Sequence, residues 1–219
     1  MSACVDVVLP CLDEAAALPG VLAALPRGYR AIVVDNGSRD SSVEVAAAAG
    51  AVVVREERRG YGAAVHAGLV AATAEVVAVL DADGSLDPGL LPAAVALLDT
   101  ADLVLGRRRP VSRAAWPAPQ RLSNELLAWR LRRRLGIAVH DVPPFRVFRR
   151  EPMLGLGLTD RRSGYPLETL VAATRAGWRI AELDVPYRPR IGRSKVSGDL
   201  RGAISAVRDM TAQLRAAGA

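Results

Sequence analysis

VVAVLDADGSLDP, residues 76–88, is the stretch on which the fold turns. Five apolar residues in a row, 76–80, break off at Asp81, Ala82 and Asp83, and a glycine turn follows. Apolar side chains that do not alternate with polar ones belong to a strand covered on both faces, as in a parallel sheet buried between helices. Working outward, residues 5–9, 31–35, 51–55 and 103–106 are short apolar runs of the same kind. Longer alanine-rich segments of helical periodicity lie between them. This alternation predicts an α/β fold with a mostly parallel central sheet flanked by helices. Ser41 and Glu44 have the spacing of a capping box and Gly50 of a helix stop, while Pro88 opens a helix expected to run to Leu98.

With 219 residues and 51% apolar side chains, the chain can bury the core of one domain and needs no second one. No apolar run approaches the ~18 residues that a membrane span requires, and the N-terminus lacks the pattern of a signal peptide. A cytoplasmic protein is expected. Cys4 and Cys11 are too few and too close to frame a disulfide scaffold, and they lack zinc spacing. The net charge of +6 comes almost wholly from arginine, since Lys195 is the only lysine. Guanidinium groups favour anionic partners such as phosphates, although a bias in codon usage accounts for an arginine excess equally well.

After Gly106 the character changes. Pro110, Pro117, Pro119, Pro143 and Pro144 interrupt an arginine-rich segment, and residues 120–135 read as a helix inside it. Its apolar positions Leu122, Leu126 and Trp129, with Leu131 and Leu135 one turn over, form a stripe opposite Arg121, Arg130, Arg132, Arg133 and Arg134. Such a stripe either packs on a core or lies on an anionic membrane. A helix over residues 167–176, a strand over 179–185 and an amphipathic helix over 199–215 complete the expectation.

In an open parallel sheet a ligand sits beyond the carboxyl ends of the strands. Four such ends carry chemistry-bearing residues. They are Pro10, Cys11, Leu12, Asp13 and Glu14; Asp35, Asn36 and Gly37; Gly60, Tyr61 and Gly62; and Asp81, Ala82 and Asp83. Two carboxylates in a D-x-D pattern suit a hard divalent cation such as Mg²⁺ or Mn²⁺, which can bridge the phosphates of a nucleoside diphosphate. Taken alone the pattern is weak and describes an acidic surface turn better. Gly60 and Gly62 at a helix start would present backbone N–H groups to a phosphate or sugar. They also match part of a dinucleotide fingerprint, but after the wrong strand and without its third glycine.

In order along the chain, VVLPCLDE (7–14), IVVDNGSRD (32–40), RGYGAAVHAGLVAA (59–72), VLDADGSLDP (79–88), DLVLGRRR (102–109) and GWRIAELDVPYRPRIGRSK (177–195) resemble the motifs of family 2 glycosyltransferases, in the dolichyl-phosphate mannose synthase-like branch. The resemblance covers most of the chain and implies a single GT-A-type domain. Residues 1–106 would bind the nucleotide sugar, GDP-mannose or a UDP-hexose, and residues 107–219 would face the acceptor. It implies Pro10, Leu12, Glu14 and Asp35 at the base and ribose, and Gly62 near the donor. Asp81, Ala82 and Asp83 would stand at ribose, metal and diphosphate, with Arg108, Arg190, Ser194 and Lys195 on phosphate. Asn36 departs from the second aspartate of the motif, Ser85 stands where a glutamine often completes the metal shell, and HDVPPFR (140–146) replaces Asp-Ser-Gly-Phe-Arg.

Members of this branch invert at the anomeric carbon in a single displacement. A lipid-phosphate acceptor is already ionised, whereas a hydroxyl acceptor needs a base. Glu168, in YPLETL (165–170), and then Asp141 are the candidates, although Glu168 equally suits a helix first turn. A polyprenyl phosphate acceptor is expected, with peripheral contact at the inner face of a membrane, a membrane partner protein or a homo-oligomer, and no nucleic acid. A sugar nucleotidyltransferase would place a glycine-rich, arginine-containing loop after the first strand, where PCLDEAAAL stands instead. A non-catalytic scaffold would not need both Asp81 and Asp83.

Overall fold

The run at residues 5–9 forms an interior strand, β1 (Val5–Cys11), which pairs in parallel with β2 (Tyr29–Asp35) on one side and β4 (Val76–Val79) on the other. The computed structural model describes residues 5–192. Beyond β2 lies the edge strand β3 (Val52–Arg55). On the other flank β6 (Arg146–Arg149) runs antiparallel between β4 and β5 (Leu103–Pro110), and β7 (Ile180–Tyr187) is parallel to β5, giving the order β3-β2-β1-β4-β6-β5-β7. Six strands therefore point the same way, and their carboxyl ends share one rim.

Alternate side chains of these strands enter two apolar layers. Val8, Ile32 and Val34 pack against α3 (Tyr61–Ala71), α5 (Ala118–Leu135), α6 (Arg150–Gly155) and α7 (Tyr165–Arg175). Val7, Leu9 and Val33 pack against α1 (Leu18–Ala23), α2 (Ser42–Ala48) and α4 (Leu91–Ala96). Each such side chain, fully buried, contributes ~1.5–3 kcal/mol. Gly68 lets α3 approach the sheet, since a Cβ there would stand 2.4 Å from a Val8 methyl. A charge interrupts the apolar run of β1: Asp6, fully buried, accepts from Arg30 Nε and Nη2 and from the Thr73 and Ala74 N–H groups.

Several details depart from the sequence-based expectation. β6 is an additional strand. The helix expected from Pro88 to Leu98 is α4 between two short 3-10 turns, Pro88–Leu90 and Leu97–Asp99. Ser41 makes no side-chain cap; Asp40 instead accepts from the Ser42 N–H. Gly50, at φ +79°, does follow α2 as its stop. On α5 the single stripe resolves into two opposed faces. Leu127, Ala128 and Leu131 are buried, while Leu122, Leu126 and Trp129 are exposed on the other side. No helix among the described residues is long and apolar enough to cross a membrane. Cys4, Ser194, Lys195 and the helix expected over 199–215 lie outside the described residues.

Candidate active site

The shared rim encloses an open cavity of about 530 Å³. One wall comes from the end of β1, with Pro10, Cys11, Leu12 and Glu14. Its floor is Asp81, Ala82 and Asp83 after β4, with Tyr61 and Ala64 of α3 and Asn36 after β2. The opposite wall holds Arg108 from β5, Pro189 and Arg190 after β7, and Ala114, Ala115, Pro117, Val142, Pro144 and Pro166. Of the residues expected from sequence, Pro10, Leu12, Glu14, Asp81, Ala82, Asp83, Arg108 and Arg190 line it; Asp35, Gly62, Asp141 and Glu168 do not. Cys11, Asn36 and Tyr61, expected at the strand ends but given no role there, also line it.

Backbone N–H groups beyond β1 are tied to the turn beyond β2, which fixes the first wall. Asp13 N–H donates to Ser38 Oγ (2.9 Å), Glu14 N–H to Ser42 Oγ (2.8 Å) and Ala15 N–H to Asp40 (3.0 Å). Asp13 takes a left-handed φ of +53° to make this turn. Asp35, 8% exposed, accepts from the Ser38 N–H rather than facing the cavity. Its neighbour Asn36 is a junction. The side-chain amide donates to the Glu56 and Arg58 carbonyls (2.9 and 2.8 Å), and its oxygen accepts from Gly60 N–H (2.8 Å). An aspartate has no N–H to give those carbonyls, which accounts for the asparagine in this motif.

The glycines at the start of α3 serve packing. A Cβ at Gly60, whose φ is +144°, would stand 2.1 Å from the Arg161 carbonyl oxygen, and one at Gly62 would stand 2.7 Å from Tyr165 Cβ. The N–H groups expected to meet a ligand are occupied, since Gly62 donates to Arg162 O (3.0 Å) and Ala63 to Arg161 O (2.8 Å).

At the floor, Asp83 is 2% exposed; it accepts from the Ser85 N–H and forms an ion pair with Arg190. The strand extension after β7 is laced to this loop by Ile191 N–H to Asp83 O and Arg188 N–H to Ser85 O, each 2.9 Å. The sheet thus places Arg190 over the two aspartates. Burial, and then the charge of Asp83, push the Asp81 carboxyl up to about 7, against the opposing pull of Arg190 and Arg108. Two crowded, desolvated carboxylates of this kind are relieved by a cation. No group of three or more His, Cys, Asp or Glu that could hold a metal occurs among the described residues. Two carboxylates therefore fit Mg²⁺ or Mn²⁺ only as a partial shell that substrate phosphates would complete. Ser85 is fully buried with its hydroxyl unpartnered, and it does not line the cavity.

Arg108 faces the cavity from a rigid mount. Its Nε and Nη2 donate to the two oxygens of Asp141 (2.9 and 2.7 Å), as does its own backbone N–H (2.9 Å). Its guanidinium lies 4.1 Å from the Trp116 ring centroid and 5.4 Å from that of Tyr187. Burial disfavours the charge, but Asp141 overrides it and holds the pKa above the ordinary arginine value. Asp141, 1% exposed, is thereby committed to Arg108. Glu168 is committed too, accepting from Thr159 N–H and Oγ1 and from Asp160 N–H, at 2.8–3.0 Å. Both carboxylates are engaged by neighbouring groups, and neither lines the cavity. Burial also raises the Tyr61 phenol above its ordinary value, so it lines the site as a neutral hydroxyl.

Comparison with known proteins agrees with this geometry. The family model described as glycosyl transferase family 2 matches residues 6–155. The chain is 61% identical over 207 residues to an uncharacterized glycosyltransferase of Mycobacterium tuberculosis, covering 94% of this chain and 95% of that one. It is 33% identical over 202 residues to the dolichyl-phosphate hexose transferase of Haloferax volcanii, covering 90% and 88%. Among solved structures it resembles glucosyl-3-phosphoglycerate synthase from M. tuberculosis in complex with Mn²⁺, uridine diphosphate and glucosyl-3-phosphoglycerate. There the TM-score is 0.76 at 25% identity, over 99% of this chain and 80% of that one.

Proposed function

The chain belongs to glycosyl transferase family 2, has the GT-A-type fold of its structural neighbours, and is a glycosyltransferase; from that premise we propose that it moves a hexose from a nucleoside-diphosphate sugar to a polyprenyl phosphate. The observation that carries the acceptor class is the commitment of Asp141 to Arg108 and of Glu168 to the 159–160 turn. An acceptor wall without an available base suits a nucleophile that arrives ionised, as a phosphate monoester does. The apolar side chains of Ala114, Ala115, Pro117, Val142 and Pro144 suit the hydrocarbon attached to it. The dolichyl-phosphate substrate in the name of the Haloferax relative supports the same reading.

In this account residues 1–106 hold the donor, with Pro10, Leu12 and Glu14 on the base and ribose and Asp35 fixing the turn behind them. Asp81 and Asp83 hold Mg²⁺ or Mn²⁺, which when bound would neutralise the diphosphate as a leaving group. Arg190 releases Asp83 and turns to the diphosphate. The contacts of Arg108 engage Nε and Nη2, so Nη1 is left to hold the acceptor phosphate. A phosphate oxygen then forms a bond to the anomeric carbon as the bond to the diphosphate oxygen breaks. The electron pair leaves with the nucleoside diphosphate and the configuration inverts. Ser194 and Lys195 would add cationic and hydroxyl contacts to the donor. The acceptor's hydrocarbon keeps such an enzyme at a membrane surface.

The test is incubation with radiolabelled GDP-mannose or UDP-glucose, Mn²⁺ and either a short polyprenyl phosphate or 3-phosphoglycerate, the acceptor part of the product named in the structural neighbour. Label in the organic phase is expected. Label only in a water-soluble product would overturn the acceptor class and retain the glycosyltransferase.

A further inference from the structure

We propose that the outer face of α5 is a docking surface for anionic phospholipid, a partner for the site that rests on the polyprenyl-phosphate reading above but stands on its own observation. Seven large apolar side chains are exposed among the described residues, and three of them, Leu122, Leu126 and Trp129, are 67%, 46% and 48% exposed. Their spacing of four and then three residues sets them in one line. Arg133 extends the line by one further turn, its guanidinium 5.7 Å from the Trp129 ring centroid. The inner face needs none of them, because Leu127, Ala128 and Leu131 already fill the contact with the core. An exposed apolar line of this size on a single helix is the feature that marks an interaction surface.

Charge selects the occupant. Arg130, Arg133 and Arg134 are exposed around the far end of the line, and the one acidic residue of α5, Glu125, is paired with Arg121 at 3.5 Å. A second copy of this face would set arginine against arginine. An anionic lipid surface instead takes the leucines and tryptophan below the headgroups and meets the guanidinium groups with phosphate. The helix is also placed for the purpose, because its first turn, Pro117 to Gln120, reaches the cavity wall. A phosphate entering the cavity from a bilayer under α5 would leave its hydrocarbon in that bilayer.

Co-sedimentation of the full chain with phosphatidylglycerol and with phosphatidylcholine vesicles, at low and high salt, tests this. Binding to phosphatidylglycerol at low salt is expected, with weak binding to phosphatidylcholine. The variant L122S/L126S/W129S, altered only at exposed positions and checked by its melting curve, should bind roughly a hundredfold more weakly. R130E/R133E should lose the preference for the anionic lipid. Absence of wild-type binding at low salt, equal binding by the stripe variant, or a wild-type dimer that the stripe variant dissociates would each overturn the proposal. Transfer assayed with a short, water-soluble prenyl phosphate separates the two readings. If the stripe variant keeps that activity and loses only vesicle binding, both stand. If vesicle binding behaves as expected and no prenyl phosphate is glycosylated, the acceptor reading fails alone.

Discussion

Replacing Asp141 by alanine discriminates between a proton acceptor and a mount for Arg108. In the structure Asp141 is 1% exposed and receives three N–H groups of Arg108 at 2.7–2.9 Å, while the Arg108 side chain is itself only 13% exposed. Removing one partner of such a pair leaves a buried charge unanswered, which costs ~3–5 kcal/mol. Arg108 keeps its stacking on Trp116 and gains some water from its exposed edge, so the lower end, about 3 kcal/mol, is expected. In a chain of this size that is a fall in Tm of roughly 6–12 °C. Urea unfolding should show a lowered midpoint at unchanged m. Steady-state assays should show a raised KM for the acceptor with a smaller change in kcat, because the guanidinium is misplaced while the donor side is intact. Loss of a general base would instead lower kcat by ~10²–10⁴ and spare stability. A variant within about 0.5 kcal/mol of wild type, with a collapsed kcat, would refute the reasoning.

Asp6 is raised by burial, yet Arg30 and the Thr73 and Ala74 N–H groups together hold it below its ordinary value. Its contribution is therefore present above about pH 4 and is lost as pH falls through the depressed folded value. Asp6→Asn should lower stability at pH 7 by about 2 kcal/mol, less than for a fully buried pair because the Arg30 side chain is 41% exposed. The gap from wild type should begin to narrow in denaturation curves taken below pH ~4 and close below the depressed folded value; a constant gap would contradict this. Asn36→Asp, although it restores the commoner aspartate, should cost about 2 kcal/mol and weaken donor binding in a titration, since the Glu56 and Arg58 carbonyls lose their donor. Glu168→Gln should retain transfer within about twofold while lowering Tm, because its acceptor role to the 159–160 turn is weakened; a drop of a hundredfold or more would reinstate it as a base.

Much of this architecture is legible in the sequence. Strands β1 to β5 announce themselves because each carries a run of three or more apolar residues, buried on both faces in β1, β2, β4 and the first half of β5, and the D-x-D loop then follows from where such strands end. β6 is hidden because RVFR has arginine at both ends and only two apolar residues, one for each layer; its pairing between β4 and β5 is a tertiary fact. Gly60 and Gly62 mislead for a related reason. A glycine reports that something approaches closely, and here it is the 161–162 backbone rather than a ligand. Residues 120–135 read as a helix, but its apolar positions occupy opposite sides. Only the packing of Leu127 and Leu131 shows which side is inward. Asp141 and Glu168 have the chemistry of a base, and their partners, Arg108 and the 159–160 turn, come from spacings of 33 and 8 or 9 residues that no local pattern encodes.

Calorimetric titration of GDP and UDP tests most directly the proposal that Asp81 and Asp83 hold a nucleoside diphosphate through a divalent cation. With Mn²⁺ present, one of the two should bind at a single site, and the heat should vanish in chelator and in Asp83→Asn, with a melting curve of that variant as the check on its fold. Undiminished binding in chelator, or in Asp83→Asn with the metal present, would contradict it.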